Sequence, residues 1–449
     1  MSLIDMIRAA GVVGCGGAGF PTHAKLACRA ETLILNGAEC EPLLRTDRYI
    51  MKNKSRQIVA AMEMMAEHIG AGKLYLALKE NYKDEIASLI AAIGELGSRA
   101  QLFLMGSFYP AGSEQSLVLD VTGRTVPPGG IPPDVGVVVS NVATAYQVYE
   151  AAQGRPFTHR YLTVTGEVPV PSIVCVPLGT PIVDCIAAAG GILTDNFRII
   201  AGGPLMGKLL DTSEAKNAVV TKTLGGLILL PEESPLTARR ETPLHSVLRR
   251  GKTACIQCSF CTEMCPGYLS GHPLQPHRIM RKMAYADETQ VLWEDEDIRQ
   301  SLICCECGIC EAYACPMELS PRRVLAYLKG QLREAGIRYS KPNLPVFSRE
   351  GRESRRVPSK RLASRLGISK YYNYEINELR SLTPERVMIP LMQHIGAPAV
   401  PVVKEGDAVV CGQLIGACPD KALGAAVHAS IDGVVVDIGD RIVIEGRRH

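Results

Sequence analysis

Between Cys255 and Cys315 the chain repeats one pattern of thiols, and few features restrict a fold more. The first run reads Cys255-Ile-Gln-Cys258-Ser-Phe-Cys261-Thr-Glu-Met-Cys265-Pro266, a C-x2-C-x2-C-x3-C-P spacing. The second supplies Cys304, Cys307, Cys310 and Cys315-Pro316, with one extra residue before its last cysteine. Three closely spaced thiolates wrap one [4Fe–4S] cube, and a fourth followed by proline is thrown to the neighbouring cube. The reading is therefore one cluster on Cys255, Cys258, Cys261 and Cys315 and a second on Cys304, Cys307, Cys310 and Cys265. Cys305 reads as a bystander, with replacement of Cys304 as the alternative. A pair of zinc sites is the competing reading, because paired C-x2-C units also build zinc ribbons. The residues between the runs, Tyr268 to Leu302, read as mainly helical around Pro276 to Ala286 and as a cover that limits water at the clusters.

All 16 cysteines bear on the compartment. No cationic, apolar leader precedes them, so thiolates for metal in a reducing cytoplasm are expected rather than a disulfide framework. The longest apolar run, Leu224 to Pro231, falls far short of the ~20 residues that span a bilayer, so no membrane span is expected. A net charge of +3 over 449 residues makes no field strong enough to imply nucleic acid. That length exceeds one core of roughly 100–200 residues, so several domains are expected.

The amino-terminal part opens on Ser2-Leu-Ile-Asp5, a capping-box start for a short helix, which either leads into the next motif or serves as a targeting helix. Then comes Gly14-Cys-Gly16-Gly17-Ala-Gly19-Phe20-Pro21-Thr22-His23-Ala-Lys25. Glycines at this density let backbone N–H groups reach a phosphate or a flat ring, with Lys25 to neutralise charge; the plainer reading is a tight loop. Apolar runs at Thr32 to Leu35, Leu74 to Leu78, Gln101 to Met105 and Val135 to Val139 alternate with helical periodicity near Ile50 to Ile69 and Lys83 to Leu96. That alternation predicts a mostly parallel, doubly wound sheet. Its strand ends then carry Asn36 to Pro42, Tyr109 to Gln115 and Ser140 to Thr144, where such sheets bind ligands.

These motifs together resemble the flavin- and NADH-binding subunit of respiratory complex I and its relative, the RnfC subunit of Rnf complexes. The resemblance implies FMN contacts from Gly14, Gly16, Gly17, Gly19, Lys25, Asn36, Glu39, Asn141 and Thr144. It implies nicotinamide-nucleotide contacts from Phe20, Glu41 and Glu114, with Glu41 and Glu114 as the catalytic pair. Ala38 and Cys28 depart from the complex I pattern, where an aspartate and an aromatic stand. Short β-prone runs around Thr163 to Gly166 and Val176 to Thr180 resemble the β-grasp SLBB domain. Valine-rich strands around Gly396 to Gly433 resemble a lipoyl-like barrel-sandwich module, with an Ile389-Pro-Leu-Met-Gln-His-Ile-Gly-Ala-Pro398 start found in RnfC at the opposite end of the chain.

The expected architecture is a multidomain α/β protein: a Rossmann-like flavin domain (1–155), a β-grasp SLBB domain (156–240), a helical ferredoxin-like domain with two [4Fe–4S] clusters (241–335), a basic linker (336–385) and a carboxyl-terminal barrel-sandwich module (386–449). In the linker Arg349, Arg352, Arg355, Arg356, Lys360 and Arg361 read as a solvated stretch or as a docking strip for an acidic partner. That domain order is similar to the cobalamin reductases of propanediol-utilisation microcompartments. The similarity implies electron flow from NADH through FMN and the clusters to cobalamin or a corrinoid-carrying protein, beside an ATP:cob(I)alamin adenosyltransferase and microcompartment shell proteins. No D-x-H-x-x-G motif marks a corrinoid site. An Rnf-type NADH:ferredoxin subunit and a non-catalytic relay or scaffold are the alternative readings.

Overall fold

The computed structural model describes residues 1–285, 293–341 and 345–446. The four amino-terminal apolar runs form one parallel sheet from β1 (Thr32–Asn36), β2 (Lys73–Lys79), β3 (Gln101–Met105) and β4 (Val137–Asn141), in the order β3-β2-β1-β4. Helices α1 (Leu3–Ala9), α2 (Thr46–Asn53), α3 (Ser55–Ile69), α4 (Lys83–Leu96), α5 (Glu114–Thr122) and α6 (Val142–Ala152) pack around it. On α3 the side chains of Ile58, Val59, Met62, Met65, Ala66 and Ile69 follow helical spacing and are fully buried. Each large apolar member contributes about 1.5–3 kcal/mol by leaving water. The periodicity predicted one helix from Ile50 to Ile69, whereas the structure has two, broken at Lys54 (φ −129°). There Asn53 Nδ2 donates to the Tyr49 carbonyl at 2.9 Å and competes with the helical ladder. The capping box at α1 is present: Ser2 Oγ accepts from Asp5 N and Asp5 accepts from Ser2 N.

The next sheet is mixed: β5 (His159–Gly166), β6 (Ser172–Pro177), β7 (Phe197–Ala201), β8 (Lys208–Leu210) and β9 (Gly226–Pro231) pack with α7 (Ile182–Ala188). Its edge strand β10 (Leu379–Ser381) comes from far along the chain and pairs parallel to β6. Helices α8 (Leu244–Ala254), α9 (Pro276–Tyr285) and α10 (Pro321–Glu334) then enclose the cysteine loops. The helix expected at Pro276 to Ala286 is α9; Ala286 itself lies outside the described residues, as do 342–344 of the expected linker and 447–449 of the last domain.

The stretch expected as a basic linker is packed, because its arginines answer buried acid. Arg352 and Arg356 both bond Asp120 of α5, at 2.6 and 2.7 Å, and Arg355 pairs with Glu263. Arg349 lies over the Tyr268 ring, 4.0 Å from its centre, and Val357–Pro358 pairs with Phe108–Tyr109. The segment thus fastens the amino-terminal sheet domain to the cysteine loops.

The carboxyl-terminal module has two small sheets. One is β11 (Arg386–Pro390), β17 (Arg441–Gly446), β16 (Gly433–Ile438) and β13 (Ala408–Val409); the other is β12 (Val400–Pro401), β14 (Leu414–Ala417) and β15 (Val427–His428). Val387, Ile389, Ile415, Val427, Val435, Ile442 and Ile444 form the core between them. The Ile389–Pro398 segment docks behind the glycine loop, where Ile395 N donates to the Gly19 carbonyl at 3.0 Å. Lys222, fully buried, ties three domains together by donating to the carbonyls of Gly11 and Ala426, both at 2.7 Å. Among the described residues no helix is long and apolar enough to cross a membrane.

Candidate functional site

The two cysteine loops repeat each other residue by residue in backbone conformation. Gln257 and Ser259 are left-handed (φ 56° and 64°), and so are Glu306 and Gly308 (φ 57° and 82°). Cys255 (φ −72°, ψ 109°) matches Cys304 (φ −66°, ψ 126°), and Cys265 (φ −73°, ψ 120°) matches Cys315 (φ −73°, ψ 115°). In this register Cys305 takes the place of Ile256, a side chain 60% exposed, and Cys304 takes the place of Cys255. The extra residue of the second run is absorbed in a π-helical turn, Cys310–Ala314, the usual form of a one-residue helix insertion.

The thiols group across the runs. Burial pushes Cys261 up to about 12, and the thiols of Cys255, Cys315 and Cys258 add to it, so Cys315 of the second run faces the first. Burial raises Cys310 too, followed by Glu311, Cys304, Cys261 and Cys265. Burial likewise raises Cys304, with Cys305 and Cys265 behind it, so Cys265 of the first run faces the second. Buried thiols that raise one another are a donor set that wants positive charge, and soft sulfurs grouped this way fit iron–sulfur ligation; Cys305 lies in the second group as well, hydrogen-bonded to Cys307.

The flavin side is built from strand ends. Asn36 and Asn141 are register partners at the carboxyl ends of parallel β1 and β4. Asn36 Nδ2 donates to the Gly112 carbonyl at 2.8 Å. Asn141 Oδ1 caps α6 by accepting from Ala143 N at 2.9 Å, and its Nδ2 donates to Asp47 at 2.7 Å. Thr144 Oγ1 accepts from Cys15 N at 2.9 Å, and buried Arg160 donates to the Cys15 carbonyl at 2.9 Å, so the glycine loop is held over the amino terminus of α6. Among the described residues the N–H groups of Gly16, Gly17, Ala18 and Gly19 have no protein acceptor. Gly17 (φ 110°) would project a Cβ into open space, so the loop keeps a free face. Lys25 pairs with Glu114 at its rim, where Phe20 is 36% exposed. Free donors, a helix amino terminus and a lysine fit an anionic group, and the open glycine face fits a flat ring.

Two carboxylates implied by the resemblance are turned elsewhere. Glu39 accepts from the N–H groups of Asp47 (2.8 Å) and Arg48 (3.3 Å) at the start of α2, and burial followed by Asp47 raises it to about 7. Glu41 accepts from Leu205 N (2.8 Å) and Met206 N (3.1 Å) of the second domain, and burial raises it. It does not meet Glu114. The Tyr109 hydroxyl lies 3.4 Å from Glu41 and donates to the Cys307 carbonyl at 2.8 Å, joining the flavin sheet to the second cysteine loop. The sequence marks Tyr109 only as part of a strand-end motif and Arg352 and Arg356 only as members of a basic stretch, and nothing in it singles out Arg160.

Four family models match in chain order: the Nuo51 FMN-binding domain over residues 7–150, the SLBB domain over 161–209, a 4Fe-4S dicluster domain over 254–320 and the RnfC barrel sandwich hybrid domain over 370–449. In fold the chain is similar to NAD+-reducing [NiFe]-hydrogenase in the H2-reduced state, with a TM-score of 0.50 and 21% identity over 75% of this chain and 62% of that one. It is 36% identical to a component of the Na(+)-translocating ferredoxin:NAD(+) oxidoreductase complex of Acetobacterium woodii, over 59% of this chain and 57% of that protein. It is 40% identical to cobalamin reductase PduS of Salmonella typhimurium and 39% identical to that of Citrobacter freundii, in each case over 98% of this chain and 95% of the relative. With all four domains in place and nearly the whole length aligned, the chain belongs to the PduS cobalamin reductase family.

Proposed function

We propose that this protein is an NADH-dependent cobalamin reductase in which the second cysteine loop receives electrons from the flavin side and the first delivers them. The observation that carries this reading is the Tyr109 hydroxyl bonded to the Cys307 carbonyl, which sets the second loop against the flavin domain. The first loop is the more open of the two: Ile256 is 60% exposed, Phe260 46%, and Cys258 is exposed, whereas the second loop exposes Cys305. FMN held at the glycine loop would supply the exchange between a hydride and single electrons, and clusters held by the two cysteine sets would supply one-electron chemistry, the step size that cobalamin accepts.

The chain's own groups do the positioning. Free N–H groups of the glycine loop and Lys25 bind and orient the flavin and its phosphate. Glu41 and Tyr109 lock the second loop to the flavin sheet, and Arg352 and Arg356 brace the same junction through Asp120. Val247, Leu248, Ile279, Met280, Leu325 and Leu328 exclude water from the cysteines, which helps set cluster potential. The exposed apolar rim at Ile256 and Phe260 suits a corrinoid or a carrier protein, with an adenosyltransferase consuming the reduced product. A place beside shell proteins inside a microcompartment follows from the same family reading.

Anaerobic purification with cofactor extraction tests this reading, followed by titration with NADH and then cob(III)alamin. FMN, two clusters, bleaching by NADH and reoxidation by cob(III)alamin are expected. Absence of FMN would leave only a relay, and flavin and clusters that stay oxidised under NADH would remove the proposed donor.

A further inference from the structure

A cleft of about 620 Å3 runs from the start of α5 to the end of α10, with Glu114, Gly129, Cys304, Arg333, Arg338 and Tyr339 in its walls. Its volume is that of a site for a cofactor-sized molecule, roughly 300–1,000 Å3. Glu114 marks the flavin end, because its carboxylate pairs with Lys25 of the glycine-loop segment. The far end is cationic. Arg333 and Arg338 are exposed and, among the described residues, neither has an acidic partner. Tyr339 lies against the backbone at Gly129 (φ 70°), where a Cβ would come within 2.7 Å of the ring. A glycine there gives the ring its seat and leaves the half-buried tyrosine at the cleft wall.

Two free guanidinium forks match a diphosphate, each able to hold a phosphate through paired charge-assisted hydrogen bonds. An aromatic ring beside them offers a surface for a purine base. We propose that Arg333, Arg338 and Tyr339 bind the adenosine diphosphate half of the nicotinamide nucleotide, Arg333 and Arg338 taking the two phosphates and Tyr339 the adenine. The proposal rests on the NADH-dependent reading above and adds where the nucleotide's inert half is held. Arg333 lies in the last turn of α10 and Arg338 and Tyr339 just beyond it, so the donor site spans two domains and is complete only when α10 is docked on the flavin sheet. A corrinoid is the competing occupant, because Cys304 also borders the cleft.

ADP-ribose is the probe, since it carries the adenosine diphosphate and no nicotinamide to react. Calorimetric titration of the flavin- and cluster-loaded full chain is expected to show binding that R333A and R338A each weaken by about 10–100-fold. Y339A should weaken it by roughly 5–100-fold while Y339F stays near wild type. Flavin and iron content should be unchanged, and in turnover with ferricyanide the loss should fall on KM for NADH. Variants that bind ADP-ribose as wild type does would overturn the proposal, as would a higher KM for cobalamin with KM for NADH unmoved, which would assign the cleft to the corrinoid. A wild-type protein reduced by NADH that ignores ADP-ribose would also overturn it. If NADH does not reduce wild type at all, the donor reading falls with it.

Discussion

The two cysteine loops share the Cys-x2-Cys-x2-Cys spacing and the left-handed positions, yet they differ in what holds them. The second is pinned from several sides: Tyr109 donates to the Cys307 carbonyl, Lys329 donates to the Cys304 carbonyl at 2.7 Å, and Arg322 pairs with buried Glu311 at 2.8 Å. The first loop presents Ile256, Cys258 and Phe260 to solvent, against Cys305 in the second. Ligand spacing is thus written locally and twice, while the relay direction proposed above rests on what each loop touches. The spacing alone would have made the two clusters equivalent.

The largest effects should come from breaking one loop at a time. Cys304→Ser is expected to remove the second cluster, halving iron and ending cobalamin reduction; Cys305→Ser should leave iron and electron paramagnetic resonance spectra intact. The opposite pattern would exchange the two residues' roles. Arg352→Ala leaves buried Asp120 with Arg356 alone of its two guanidinium partners, and a loss of about 1–3 kcal/mol in chemical denaturation is expected, with Arg352→Lys milder. Lys25→Ala should weaken FMN retention by roughly 10–100-fold in equilibrium dialysis, with clusters unaffected. Tyr109→Phe removes one hydroxyl and leaves the Cys307 carbonyl unpaired, about 1–3 kcal/mol, and should slow reduction of the second cluster more than reduction of the flavin.

The smallest effect concerns pH. The Glu39 carboxyl, raised from 4.5 to about 7 by burial and then by Asp47, holds its proton more tightly in the folded chain than in the unfolded one. Its contribution to stability is therefore full below about pH 4.5 and lost as pH rises to about 7. Glu39→Gln should flatten that part of the stability profile. An unchanged slope would place the proton elsewhere.

What was legible in the sequence was what local spacing determines. The Cys-x2-Cys-x2-Cys runs, the capping box at Ser2 and Asp5, and the alternation that becomes β1 to β4 each depend on neighbours a few residues away. The helix break at Lys54 escaped because apolar periodicity continues through it while the Asn53 side chain interrupts the ladder. Arg352 and Arg356 read as solvated because their partner, Asp120, lies more than 200 residues earlier. Glu39 and Glu41 read as ligand contacts, and only the folded chain brings Asp47 N and Leu205 N to them. The order of the carboxyl-terminal module was plain in the sequence; its docking behind Gly19 through Ile395 was not.

Stopped-flow mixing of the anaerobic Cys258→Ser protein with NADH and cob(III)alamin tests the directional relay most directly. Flavin and the second cluster are expected to bleach at the wild-type rate while cobalamin stays oxidised, because the outward loop has lost its cluster. Cobalamin reduction at the wild-type rate by this variant would contradict the account.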